Sequence, residues 1–145
     1  MKILIQRVLE ANVKVDGKIT GEIGHGLLVF LGIERNDTKK QADFLANKLV
    51  NLRIFEDENE KMNLSVQDIK GEILVISQFT LTADTSQGNR PGFSNAEEPA
   101  KAKEMYDYFN EVLKAKGFPP QNGIFQADMK VSLINDGPST FIINK

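Results

Sequence analysis

Strand-like stretches outnumber helix-like stretches in this sequence by about eight to two, and this ratio limits the folds open to the chain. Parallel strands are joined by crossover connections, which are usually helices, so a fully parallel doubly wound sheet of this size needs more helices than two. We therefore predict a mixed α/β fold. A curved mixed β-sheet, barrel-like and built of about eight strands, forms its core, with two long helices packed outside.

The strand predictions rest on β-branched residues and on apolar periodicity. Residues 27–33 form a continuous apolar run, which is typical of a strand buried on both faces. Residues 125–133 alternate between apolar and polar side chains, which predicts a strand with one exposed face. The other predicted strands cover residues 2–15, a stretch from residue 18, and residues 53–56, 61–64, 72–80 and 139–143.

The two predicted helices carry start and stop signals. Thr38 and Gln41 have capping-box spacing, so the first helix is predicted to begin at Thr38. The second helix is predicted over about residues 96–116, and Gly117 favours a left-handed termination. Residues 85–93, ahead of this helix, are polar and include Gly and Pro, which predicts a loop.

Composition narrows the chemistry of what we expect to be a single domain over residues 1–145. The absence of cysteine excludes thiol catalysis and fits a reducing compartment. His25, the one histidine, lies between two glycines in a predicted turn with no motif that would make it a base. The acidic clusters lack the ligand spacing of a calcium loop, so we predict no metal and no cofactor. No apolar run is long enough to span a bilayer, and we expect a cytoplasmic protein with no membrane partner.

The first candidate site is the polar stretch Ser77, Gln78, Phe79 and Thr80, which ends a strongly apolar strand. Functional groups often lie where a rigid strand gives way to a loop. The main-chain N–H groups of Phe79 and Thr80 would form an oxyanion hole if they were free of the sheet. The alternative is a strand end whose hydroxyl groups make ordinary capping hydrogen bonds.

The second candidate site is the Gly137-Pro138 pair within residues 135–140. A rigid Gly-Pro unit can direct two carbonyl oxygens at a ligand amine, and it can act as a wall against a bulky substituent. Glycine before proline widens the available backbone conformations. The alternative is a simple turn between strands, for which Asn135 and Asp136 are usual residues.

Together the two stretches resemble the signature motifs of the D-aminoacyl-tRNA deacylase (D-tyrosyl-tRNA deacylase) family. Residues 5–8, 21–24, 53–55, 61–64 and 107–109 are also similar to that family, in order along the chain. The resemblance implies a hydrolase that cleaves the ester between a D-amino acid and the 3′-terminal adenosine of tRNA. It also implies removal of glycine mischarged onto tRNA for alanine, and proofreading by rejection of L-aminoacyl-tRNA.

The resemblance further implies a homodimer whose active sites lie at the subunit interface and bind the aminoacyl-tRNA acceptor end. The Gly137-Pro138 peptide is expected to be cis and to enter the partner's pocket. The implied catalytic residues are Ser77, Gln78, Phe79 and Thr80. The implied substrate-binding and chiral-selection residues are Gly137, Pro138, Asn135 and Arg7.

The catalytic role of Thr80 stays open between two mechanisms. One makes its hydroxyl a covalent nucleophile, which needs an adjacent base that neither motif supplies. The other uses main-chain N–H groups near Phe79 and Thr80 as the oxyanion hole, with the terminal 2′-hydroxyl of the tRNA assisting the attacking water.

Two other functions compete with the deacylase interpretation. One is an esterase for small D-amino-acid esters, and the other is a non-catalytic RNA-binding or interaction module. The net charge of −2 argues against a general nucleic-acid coat, which needs many Lys and Arg contacts to phosphates. It fits recognition that is confined to an acceptor end.

Overall fold

The computed structural model describes residues 1–145 and contains eight β-strands and two α-helices. The predicted mixed α/β class is therefore confirmed. The strands are β1 (Lys2–Val15), β2 (Lys18–Ile23), β3 (Gly26–Gly32), β4 (Phe55–Glu56), β5 (Met62–Leu64), β6 (Glu72–Ser77), β7 (Gln121–Asn122) and β8 (Lys130–Asn144). The helices are α1 (Lys39–Asn51) and α2 (Pro99–Ala115), and a short 3₁₀ helix covers Phe79–Thr82.

The long strand β1 organises a six-stranded mixed sheet because it pairs along both of its edges. One edge pairs with β3 over the first half of β1 and with β2 over the second half. The other edge pairs antiparallel with β8 from Lys2 to Lys14. The register shifts between Gln6 and Glu10 mark bulges, which bend a strand and increase its twist. The bent sheet brings β2 next to β7, so the barrel is nearly closed.

Strands β3 and β6 are parallel neighbours, and the chain between them includes α1. Their register pairs Gly26 with Glu72 at one end and Leu31 with Ser77 at the other. The residues that follow the two strands therefore reach the same edge of the sheet. This arrangement places the first candidate motif beside the segment that follows β3.

The two faces of the sheet bury separate apolar clusters. On one face, alternate residues of β1, β3 and β6 pack against α1 and α2, with Phe109 and Leu45 fully buried. On the other face, Leu28, Leu74 and Ile76 pack against the bent part of β1 and against β2. The continuous apolar run in β3 is thus buried on both sides, as predicted.

The helix and turn signals in the sequence are largely confirmed. Thr38 is the N-cap of α1, and its capping box with Gln41 is complete. Gly117 has a φ of 89°, the left-handed conformation expected after α2. Neither helix is long and apolar enough to cross a membrane.

Several predicted boundaries are wrong. Helix α2 begins at Pro99, not at residue 96, because the residue before a proline disfavours helical ψ and Glu98 is extended there. Residues 125–129 are not strand, because Gln126 has a φ of 63° and the chain turns. Strand β8 instead starts at Lys130 and continues through the second motif to Asn144, so residues 139–143 are not a separate strand. Strand β6 ends at Ser77, before the 3₁₀ helix.

Gly26 allows β3 and β6 to approach each other, and Gly26→Ala should destabilise the protein. A Cβ atom at this position would overlap the carbonyl oxygen of Glu72, which is a main-chain atom that cannot move aside cheaply. We expect a loss of about 1–3 kcal/mol in the free energy of unfolding, measured by urea denaturation. Gly24→Ala is the matched control, because its Cβ would lie 3.5 Å from a side-chain oxygen of Glu72. Equal stability of the two variants would contradict the packing argument.

Candidate functional site

A cavity of about 690 Å³ lies at the carboxyl end of β6. Three segments form most of its walls, and Arg35 and Phe93 complete them. The first is the end of β6 with Ser77, Gln78 and Phe79, the second is residues 96–102 at the start of α2, and the third is the turn over residues 125–131. Cavities of this size are typical of sites for small ligands.

The first motif contributes to this cavity in two ways. The side chains of Ser77, Gln78 and Phe79 line it, whereas Thr80 is not part of the lining. The Gln78 side-chain amide donates a hydrogen bond to the Thr80 hydroxyl, so Thr80 is tied to the wall. Phe79 and Thr80 are the first two residues of the 3₁₀ helix, and N–H groups at that position have no partner within their own helix.

Two exposed aromatic rings flank the cavity. The side chain of Phe79 is 57% exposed and that of Phe93 is 39% exposed, with ring centroids 5.0 Å apart. Because the two rings are adjacent, they form a small continuous apolar patch at the cavity, and such patches are often part of ligand-binding grooves. The pair offers flat apolar surface to a ligand that enters here.

A buried polar cluster links β6 to the part of the cavity wall that contains Phe125. The Tyr106 hydroxyl donates to the carbonyl oxygen of Val75 at 2.8 Å and accepts from the Asn122 amide at 3.1 Å. The Tyr106 ring packs against Phe125, which lines the cavity. Burial raises the pKa of Tyr106 above its ordinary value, so this phenol, which is already neutral at neutral pH, resists ionisation in alkaline solution as well.

The loop that leads to Phe93 is held by a charged turn. The Asp84 carboxylate accepts a hydrogen bond from the Ser86 main-chain N–H at 2.9 Å. That main-chain bond lowers the pKa of Asp84 below its ordinary value. The loop closes again where Asp84 and Gly92 pair through main-chain hydrogen bonds of 2.8 Å, which fixes the point at which Phe93 begins.

The second motif does not line this cavity. Arg7, which holds the motif, pairs with Leu27 of β3, whereas Ser77 of the first motif pairs with Leu31. Four residues of extended strand correspond to about 13 Å. The structure therefore places the two motifs of one chain toward opposite ends of β3.

The base of the second motif is fixed by the buried side chain of Arg7. Its guanidinium donates to the Asp136 carbonyl at 3.0 Å and to the Ile54 carbonyl at 2.6 Å, and it lies 2.9 Å from the Asp136 carboxylate. The Asn135 amide donates to the carbonyl oxygens of Arg7 and Ser139. The Gly137–Pro138 peptide bond is cis, and both residues are exposed.

His25 lies near this second motif and not near the cavity. Its Nε2 is 3.9 Å from the Asp136 carboxylate, and its ring meets Phe55 edge to face. The prediction of a turn histidine agrees with its half-exposed position.

Sequence reasoning missed several residues of the cavity wall, among them Arg35, Phe93, Ala102 and Phe125. The sequence does contain a signal for Arg35. It follows the apolar run of β3, and a helical pattern separates this run from the apolar run of β6. Such runs are often parallel neighbours, and the residues after them then meet at one edge. Phe93 and Phe125 carry no comparable signal, since each lies in an irregular segment.

Comparison with known proteins identifies the family of the chain. The sequence profile of the D-Tyr-tRNA(Tyr) deacylase family matches residues 4–144. The chain belongs to this family. The resemblance given by the two motifs is thereby confirmed, and with it the assignment to hydrolytic enzymes, the deacylases.

Individual relatives match over essentially their whole length. A D-aminoacyl-tRNA deacylase of Geotalea daltonii is 59% identical over 143 residues, which cover 99% of this chain and 95% of the relative. A D-aminoacyl-tRNA deacylase of Pelobacter propionicus is 50% identical over all of both chains.

Solved structures share the fold of this deacylase family member. A c-Myc DNA Unwinding Element Binding Protein has a TM-score of 0.95 at 40% identity and covers 100% of this chain and 99% of its own. A probable eukaryotic D-amino acid tRNA deacylase has a TM-score of 0.82 at 16% identity, covering 98% and 97%. The second likeness concerns the fold alone.

Arg7→Met should destabilise this deacylase family member, because two carbonyl groups and the Asp136 carboxylate would lose a buried donor. We expect a loss of about 2–3 kcal/mol in the free energy of unfolding. Arg53→Met is the matched control, since exposed Arg53 makes one hydrogen bond, to the Asn63 carbonyl. Denaturation of both variants by urea tests the difference, and a loss of under 1 kcal/mol for Arg7→Met would contradict it.

Proposed function

We propose that this protein is a D-aminoacyl-tRNA deacylase, acting as one catalytic domain over residues 1–145. It hydrolyses the ester between a D-amino acid and the 3′-terminal adenosine of tRNA, and it releases the free amino acid and the tRNA. The observation that carries the proposal is the cavity of about 690 Å³ bordered by the family's first motif. The names of relatives at 50–59% identity supply the reaction.

The aromatic rings at the cavity suit a terminal adenosine. A nucleobase stacked on a protein aromatic ring gains about 1–3 kcal/mol. Phe79 and Phe93 present exposed ring surface at the point where such a base would enter. This contact needs no particular tRNA sequence, because the terminal nucleotide is the same in every tRNA.

The start of the 3₁₀ helix is suited to stabilise the oxyanion. When water attacks the ester carbonyl, negative charge develops on the carbonyl oxygen, and main-chain N–H groups that point at it lower the barrier. The N–H groups of Phe79 and Thr80 lack partners within their helix. In the proposed reaction the tetrahedral intermediate then collapses, the carbon–oxygen bond to the ribose breaks, and the 3′-oxygen takes up the proton that the attacking water gives up.

The environment of Thr80 favours the mechanism without a covalent intermediate. A threonine nucleophile needs a base that removes its proton. The Thr80 hydroxyl instead accepts a hydrogen bond from the Gln78 amide, which is a donor and not a base. His25 does not supply that base to Thr80, because it lies near the second motif, at Asp136. Water positioned by the terminal 2′-hydroxyl of the tRNA is therefore the proposed nucleophile.

A second copy of the chain would complete the site as a homodimer. In one chain the Gly137-Pro138 pair lies away from the cavity and is exposed, which supports the proposal that another copy supplies it. Its carbonyl oxygens would bind the substrate amino group, and an L side chain would collide with the pair. D side chains and glycine would avoid this collision. Glycine mischarged onto tRNA for alanine would therefore also be a substrate.

The surface around β1 and β8 offers an interface for that second copy. Leu9, Ile134 and Ile142 are 52%, 50% and 66% exposed, and all three lie on these two paired strands. Exposed apolar side chains along two paired strands offer surface that a subunit contact would cover. A twofold contact through this surface uses the same patch on both copies.

The proposed substrate also implies a cytoplasmic location, where tRNA is charged and used.

Turnover of D-Tyr-tRNA by trace protein tests the proposed function. We expect repeated cycles of ester cleavage with D-Tyr-tRNA and little above background with L-Tyr-tRNA, because the L side chain meets the Gly-Pro wall. Loss of the aminoacyl ester is followed over time at both chiralities. Equal cleavage of both forms would contradict the chiral filter.

The same assay separates the deacylase from a binding module. The name of the 40% identical structure, which is that of a DNA-element binding protein, gives the binding module some weight. Stoichiometric binding of tRNA without turnover would establish the binding module. Preference for free D-tyrosine esters over D-Tyr-tRNA would establish the small-ester esterase.

Thr80→Ala should reduce the rate of D-Tyr-tRNA cleavage by about fivefold, the effect of losing one neutral hydrogen bond. Thr85→Ala, in the exposed loop, is the matched control and should leave the rate unchanged. The measurement is single-turnover hydrolysis, combined with acid quenching and mass spectrometry. A rate loss of about a millionfold, as when a nucleophile is removed, or a trapped ester on Thr80 would contradict the proposed mechanism.

A further inference from the structure

The side chain of Arg35 lines the cavity beside the first motif, although neither motif includes it. Arg35 follows β3, and its main-chain N–H donates to the Asn95 carbonyl at 2.9 Å. Its side-chain Nε donates to the Ala96 carbonyl at 3.4 Å. Two contacts to the segment before α2 therefore hold the guanidinium at the wall of the cavity.

Arg35 is the one cation among the 17 residues that line the cavity. Three carboxylates line it as well, those of Glu97, Glu98 and Asp128. Two of them are already engaged, because Glu97 accepts from the Glu98 N–H at 2.9 Å and Asp128 pairs with Lys130 at 2.7 Å. No carboxylate lies within salt-bridge distance of Arg35, so the two terminal nitrogens of its guanidinium have no anionic partner.

This charge distribution sets a condition on the substrate. The terminal nucleotide of a tRNA carries a phosphodiester on its 5′-oxygen, whereas a free amino-acid ester carries none. The carboxylates of the wall repel a phosphate, and a cation beside the phosphate weakens that repulsion. A guanidinium matches phosphate oxygens in a two-pronged hydrogen-bonding geometry.

We infer that Arg35 binds the phosphodiester that joins the terminal nucleotide to the one before it. The contact makes the site selective for amino-acid esters attached to a nucleic-acid 3′ end over small esters of the same amino acid. This inference rests on the proposed deacylase function and adds a substrate-binding residue to it.

Nucleotide binding without turnover gives the first test. Wild-type protein should bind adenosine 5′-monophosphate about tenfold more tightly than adenosine, as one charge-assisted contact allows. In Arg35→Gln the two ligands should bind with equal affinity. Calorimetric titration measures the four affinities, and an undiminished preference for the monophosphate in Arg35→Gln would overturn the inference.

Catalysis gives the second test. Arg35→Gln should raise KM for D-Tyr-tRNA about tenfold, with kcat unchanged, and should not affect cleavage of 3′-D-tyrosyl-adenosine, which has no phosphate. The slope of log kcat/KM against log salt concentration should become shallower by about 0.7, the value for one phosphate contact of a single strand. Lys48→Gln, the same charge change on the exposed face of α1, is the matched control.

If Arg35→Gln lowers kcat/KM equally for both substrates, Arg35 has a structural role. If it lowers kcat/KM for neither substrate, Arg35 does not contact the phosphate. Both results overturn the inference and leave the deacylase function standing. Absence of wild-type turnover would overturn the proposed function, and the nucleotide titrations would still decide whether Arg35 binds phosphate.

Discussion

The parallel pairing of β3 with β6 is the constraint on which the rest of the structure depends. It requires the two main chains to approach closely at Gly26, where a side chain would meet the carbonyl of Glu72. Both strands bury apolar side chains on both faces, so they hold the helical layer and the barrel interior together. Because the strands run in the same direction, the polar residues after them meet at one edge. That edge contains Ser77, Arg35 and the cavity.

The same pairing keeps the two motifs of one chain apart. The cavity lies at the carboxyl end of β3, and the Gly137-Pro138 pair lies toward its amino end, held by Arg7 and Asp136. Each motif is well ordered by contacts within its own chain. Neither contains all the groups that the proposed reaction needs, since the oxyanion site and the amino-group site are separate. In the proposed homodimer, a second copy would resolve this separation and would cover the exposed apolar side chains of β1 and β8.

Local signals predicted local structure well. The capping box at Thr38, the left-handed Gly117 and the doubly buried β3 follow from short-range chemistry that nearby residues determine. The alternation in residues 125–133 led to a wrong strand prediction. Burial does alternate along this segment, but the turn at Gln126 keeps its first residues out of the strand.

The walls of the candidate site could not be predicted as a set. The two motifs were visible because each interrupts an apolar pattern with polar residues. Phe93 and Phe125 reach the cavity from irregular segments, whose positions depend on long-range contacts such as the Tyr106 cluster. Arg35 lies at the edge that the parallel strands share. Whether its guanidinium forms a salt bridge depends on which carboxylates other segments place beside it, and the sequence pattern does not indicate this.

A disulfide cross-link between two chains tests the central claim, that the site joins the cavity of one copy to the Gly137-Pro138 pair of another. The chain has no cysteine, so single cysteines can be placed without background. Pro138→Cys chains are mixed with Ala127→Cys chains of a different mass, so that a product of two different chains can be recognised, and the mixture is oxidised. In the control, Lys48→Cys chains take the place of the Ala127→Cys chains. The account predicts a mixed two-chain product with Ala127→Cys and none with Lys48→Cys. No link between folded Pro138→Cys and Ala127→Cys chains, or an equal yield of link with Lys48→Cys, would contradict it.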